Sequence, residues 1–144
     1  MLLLQHESMI LRTLGFETYV ALPYTLCINY IQTLDVFTHS TADGKKLARR
    51  AFAHLNTALL SPQMLYLTHQ PPALAVAAIY LSAKETGVKL SEDEWWEVFD
   101  CEREDLGFLV VAMLSMPKWV EEETKRWEGK KVPLTLAEVE RELR

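Results

Sequence analysis

Apolar residues recur along this chain at spacings of three and four, and no segment alternates apolar and polar in the manner of a strand. The pattern predicts an all-helical protein, with Pro and Gly falling between the helical stretches. Residues 4–14 form a first helix, on which Leu4, Met9, Ile10, Leu11 and Leu14 share a face with one acid, Glu7, before Gly15 stops it. Glu17 to Leu22 reads as an extended link. Pro23 suits the first turn of a second helix carrying Leu26, Cys27, Tyr30, Ile31 and Leu34. The polar stretch Thr38 to Gly44 reads as a loop. From Lys45 a third helix puts Leu47, Ala51, Phe52, Leu55 and Leu59 on one face, with Lys46, Arg49 and Arg50 off it, and ends near Ser61-Pro62. A short apolar piece, Met64 to Leu67, follows.

The most diagnostic segment opens at Pro71-Pro72. Nine consecutive apolar residues, Ala73 to Leu81, leave no polar face, and Gly87 supplies the stop. A helix apolar all round has to be surrounded on all sides. Its alanines let neighbouring helices approach the backbone, so it is expected at the centre of the fold. Ser91 and Glu94 then make a capping box ahead of a short helix through Trp95, Trp96, Val98 and Phe99. Asp100 or Glu102 opens the next helix, whose core stripe is Leu106, Leu109, Val110, Met113 and Leu114 and whose end is marked by Pro117. Beyond it the character changes: residues 117–144 hold seven bases and seven acids, and Thr135 with Glu138 starts a short surface helix from Leu136 to Leu143.

Composition narrows the function classes. The chain has 144 residues, 49% of them hydrophobic and 24% charged, which is one ordinary globular domain. No apolar run approaches the roughly 20 residues of a membrane span, and the opening Met1 to Leu4 is too short for a signal peptide. A net charge of −5 argues against a domain devoted to binding phosphate backbones. Cys27 and Cys101 lie far apart within apolar surroundings, which favours buried inert thiols in a reducing compartment. His6, His39, His54 and His69 lack metal-ligand spacing, and the five glycines form no phosphate loop. No catalytic constellation, cofactor site or metal set is expected.

The remaining candidates are interaction surfaces. Residues 92–105 carry eight acids and one base, Arg103. They form either a solvated face with favourable charges at helix starts or a docking surface for a basic segment. Trp95 and Trp96 point about 100° apart on a helix, so one belongs in the core and one at its margin, where an open tryptophan is also an anchor for a partner. Trp119 and Trp127 share a face at a spacing of eight. They either pack the tail onto the domain or bind a partner.

The residues Pro71 to Lys84, followed by Gly87-Val88-Lys89-Leu90 and Glu94 to Asp100, resemble the third and fourth helices of a second cyclin box. Glu7 to Phe16 is similar to the last helix of a first cyclin box, and Leu22-Pro23-Tyr24 with Leu26 to Leu34 to the opening of the second. The resemblance covers residues 4 to about 116 and points to cyclin L, of the transcription and splicing branch. It implies a five-helix cyclin-box bundle around the alanine-rich helix, with an N-terminal helix and a C-terminal helical extension. The implied organisation is residues 1–22 as the end of the first box and a linker, 23–116 as the second box, and 117–144 as the extension. It implies a nuclear, non-catalytic regulatory module without a cofactor. The implied partners are a cyclin-dependent kinase, held mainly through the first box, and a splicing-factor or other peptide, with no nucleic acid or membrane bound directly. Glu7 matches the family's kinase-contacting acid, while Trp95, Trp96, Trp119 and Trp127 are the docking candidates. Two other readings are a stand-alone helical adaptor for a partner peptide and a cyclin-like fold that grips promoter DNA, the latter opposed by the acidic balance. With no more of a first box than its last helix, the apolar side of residues 4–14 is expected bare, and self-association with it.

Overall fold

The structure is a computed structural model, and it describes residues 2–90, 94–130 and 134–142. In chain order the helices are α1 (Leu2–Thr13), α2 (Tyr24–Thr33), α3 (Val36–His39), α4 (Thr41–Ala58), α5 (Leu65–Thr68), α6 (Pro71–Thr86), α7 (Arg103–Trp127) and α8 (Leu136–Glu142), with a 3-10 helix at Trp95–Phe99 before α7. The described residues contain no strand.

The alanine-rich helix is the axis. Pro71 and Pro72 occupy its first positions, and Gly87, at φ +72°, ends it with its N–H bonded to the Ala83 carbonyl. Ala73 to Ile79, Leu81, Ser82 and Ala83 are all buried, which leaves Tyr80 partly covered. Helices α2, α4 and α7 pack along it, and α5 and the 3-10 helix close the remaining flanks. The one polar side chain in this run, Ser82, donates its hydroxyl to the Ala78 carbonyl at 2.6 Å, so its burial leaves no orphaned donor.

The packed faces follow the spacing. Cys27 and Ile31 of α2, Leu47, Ala51 and Leu55 of α4, and Leu106, Leu109 and Met113 of α7 are buried against α6 or one another. Polar bonds fasten the helices laterally: the Tyr24 hydroxyl donates to Asn56 Oδ1 at 2.6 Å, and the Tyr66 hydroxyl to the Leu55 carbonyl at 2.8 Å. Tyr30 stacks on Phe99 with ring centroids 4.1 Å apart. Among the described residues, no helix is long and apolar enough to cross a membrane.

Several elements depart from the periodic pattern. The expected loop at Thr38 to Gly44 is mostly helical, because α3 ends at His39 and α4 begins at Thr41. Ser40 caps α4 by accepting from the Asp43 N–H at 3.2 Å, and Gly44 is buried beneath Phe37. Leu59 and Leu114 were both expected in the core but are 54% and 55% exposed. Leu59 falls just past the end of α4, and Ala112 and Met116 take the place of Leu114. The tryptophan helix is a 3-10 helix, and Glu94 makes no side-chain cap; Ser91 lies outside the described residues. Pro117 does not end α7, which runs ten residues further to Trp127. The i,i+4 and i,i+3 ion pairs Glu121–Lys125 and Glu123–Arg126 support that extension. The capping box at Thr135 is present: its N–H and hydroxyl both bond Glu138 Oε2 at 2.7 Å.

Candidate functional site

The two adjacent tryptophans divide as their angular separation requires. Trp95 is 6% exposed and packs edge-on against Phe99 and Trp96, each at 6.1 Å. Trp96 sits at the margin, edge-on to Tyr80 at 6.1 Å, and its buried indole N–H has no partner among the described residues. Around the pair, Glu94, Glu97, Asp100, Glu102, Glu104 and Asp105 are exposed, while Glu92 and Asp93 lie outside the described residues. Trp95 therefore supports the surface from beneath, and Trp96 reaches it.

The other two tryptophans are brought together by the continuation of α7. Trp119, Val120, Glu123 and Trp127 face Leu60 across a groove of about 600 Å³. Trp127 is 44% exposed. Its indole N–H donates to Glu123 Oε2 at 3.3 Å, and Lys130 Nζ lies 5.1 Å from the ring centroid. The groove thus has an apolar floor and an acidic rim.

Glu7 lies exposed on α1, a helix that buries none of its residues. Leu2, Leu3, Leu4, Met9 and Ile10 on the same helix are all more than half exposed. The sequence candidates thus fall on three elements: Glu7 on α1, Trp95 and Trp96 on the 3-10 helix, and Trp119 and Trp127 on α7.

A further surface was not singled out by the sequence reading. Lys45, Lys46, Arg49 and Arg50 on α4 line a cleft of about 590 Å³ together with Ala42 and Ala53. The signal was present in the paired doublets at a spacing of four, but it reads equally as a solvated face. Lys46 Nζ donates to the Thr86 carbonyl at 3.2 Å, at the end of α6. Arg50 forms an ion pair with Glu85 through both carboxylate oxygens, and His54 Nε2 lies 3.0 Å from Oε2, the oxygen that also takes Arg50 Nε. The Arg50 hydrogen bond, aided by His54 and opposed by partial desolvation, lowers the Glu85 carboxyl to about 2. Two like-charge pairs at i,i+4 cost a helix about 0.2–0.5 kcal/mol each. The arrangement is therefore not one that helix stability favours.

The thiols are unsuited to nucleophilic chemistry: burial pushes Cys27 up to about 12 and Cys101 up to about 11. Among the described residues no group of three or more His, Cys, Asp or Glu is placed to hold a metal.

A cyclin-L1-like protein of Schizosaccharomyces pombe is 36% identical over 112 residues, which cover 78% of this chain and 40% of that protein. The chain belongs to the cyclin family. Cyclin-L2 of Mus musculus is 25% identical over 143 residues, 99% of this chain and 24% of its own length. Cyclin-T1-5 of Arabidopsis thaliana is 32% identical over 118 residues, 80% of this chain and 20% of its own. This cyclin chain thus spans about two fifths of the first relative and about a quarter or less of the other two. No family model and no solved structure matches it.

Proposed function

We propose that this chain is the second, C-terminal cyclin box of a cyclin L-like regulatory subunit, which supports a cyclin-dependent kinase acting in transcription and pre-mRNA splicing. The observation that carries the reading is the sheathed helix α6 in a chain similar to cyclin L proteins along most of its length. In this reading residues 23–116 form the box, 1–22 bring the end of the first box and a linker, and 117–144 extend it. The role is nuclear and non-catalytic. A rigid bundle holds the first box in place, and Glu7 on α1 faces the kinase.

The test is a domain exchange. Residues 1–144 replace the matching segment of the Schizosaccharomyces pombe relative, and the activity of the co-purified kinase is measured. Retained activation is expected, with free residues 1–144 leaving the same kinase near its basal rate. Loss of activation in the exchange, or strong activation by the free segment, overturns the proposal.

The Trp119–Trp127 groove favours a second reading, a helical adaptor that seats a partner peptide. Trp96 at the margin of the acidic surface is its other anchor, with Trp95 as the buried support. Trp127→Ala should weaken capture of such a partner with little change in melting temperature. A lowered melting temperature at unchanged capture returns Trp127 to a packing role.

A further inference from the structure

We propose that the α4 cleft is a docking site for an extended acidic segment of a partner protein, with carboxylates at alternate positions. The inference does not depend on the kinase reading. The chain carries a net charge of −5, yet four cations cluster within six residues of one helix. They divide by what they touch. Lys46 is occupied at the end of α6 and Arg50 by Glu85. Among the described residues, Lys45 and Arg49 have no ion-pair partner, and both are exposed. Lys45 and Arg49 stand four residues apart, which on a helix is a rise of about 6 Å. Alternate side chains of an extended peptide lie about 6.6 Å apart on one face. A Glu-x-Glu segment running along α4 therefore sets one carboxylate against each of these cations, and the Arg49 guanidinium can take its carboxylate in bidentate fashion. Lys46 and Arg50 add positive potential from the neighbouring row. Ala42 and Ala53, without long side chains, leave the room that makes the surface a cleft.

Nucleic acid is a poorer occupant. No aromatic ring lines the cleft to stack a base, and Glu85 borders it. A long polyanion would also meet the acidic remainder of the chain, whereas a short segment meets the cluster alone.

The test is fluorescence anisotropy with residues 1–144 and a labelled peptide containing Glu-Ala-Glu-Ala-Glu, against its Gln-Ala-Gln-Ala-Gln counterpart. The acidic peptide should bind, weaken with added salt, and outbind the amide peptide. Lys45→Glu with Arg49→Glu should lower affinity by about tenfold or more, since both attraction and sign are lost. Lys118→Glu with Lys125→Glu makes the same change in net charge on α7 and should alter affinity less than about twofold. Far-UV circular dichroism checks that both variants are folded, and Lys45→Ala with Arg49→Ala replaces the reversal if it is not. Equal losses in the two reversals, equal binding of the amide peptide, or tighter binding of an oligothymidylate of the same formal charge would each overturn the proposal.

Discussion

Gly44 shows how one residue holds two helices in register. It sits in the first turn of α4 with the Phe37 ring of α3 laid over it, and a Cβ there would fall 2.7 Å from Phe37 Cε1. Helix propensity alone favours Ala over Gly by about 1 kcal/mol. Overpacking a filled site costs about 1–3 kcal/mol. Gly44→Ala is therefore expected to lose about 1 kcal/mol net, measured by urea denaturation, where propensity alone gives a gain. Glu85 makes a second residue-scale case. Its carboxyl is lowered from the ordinary 4.5 to about 2 in the folded chain. The stabilisation from its pairing with Arg50 and His54 is complete above pH 4.5 and is lost as the pH falls towards 2. Stability measured across that window should decline with acid, and Glu85→Gln should flatten that part of the curve. An unchanged slope in the variant assigns the acid sensitivity to other carboxylates.

Among the elements, α6 and α7 bracket what spacing can report. The all-round apolar run of α6 leaves only one kind of environment open to it, and the helix is enclosed as its composition requires. Its alanines are close-approach positions: Ala75 is 0% exposed, and Ala75→Leu should cost about 1–3 kcal/mol in urea denaturation. Leu67→Ala, at a position 68% exposed, should cost under about 0.5 kcal/mol. In α7 the rule that Pro ends a helix gives the wrong boundary at Pro117. A proline removes one hydrogen bond and crowds one carbonyl. The i,i+4 and i,i+3 ion pairs beyond it support the helix regardless.

At the level of the whole molecule, α1 stands apart from the bundle. It buries no side chain, and its apolar residues face outward. Removing residues 1–16 should change unfolding free energy by less than about 0.5 kcal/mol while reducing concentration-dependent association in light scattering. A large loss of stability instead would make α1 part of the box. The docking candidates are likewise spread over the molecule, with the tryptophan groove, the Trp96 margin and the α4 cleft on different elements.

Much of the helical architecture was legible in the chain, because burial imposes a period on each element and an element apolar on every side has to lie inside. That one tryptophan of the pair lies in the core and the other at its margin followed from their angular separation, but not which of them is inside. The extent of α7, the helical start at Ser40 and the cleft on α4 were not legible. The last two depend on which groups of different segments meet, Phe37 with Gly44 and Lys46 with Thr86, and the first on the ion pairs past Pro117 that offset its lost hydrogen bond. A period tells which residues turn inward; only folding sets what they turn toward.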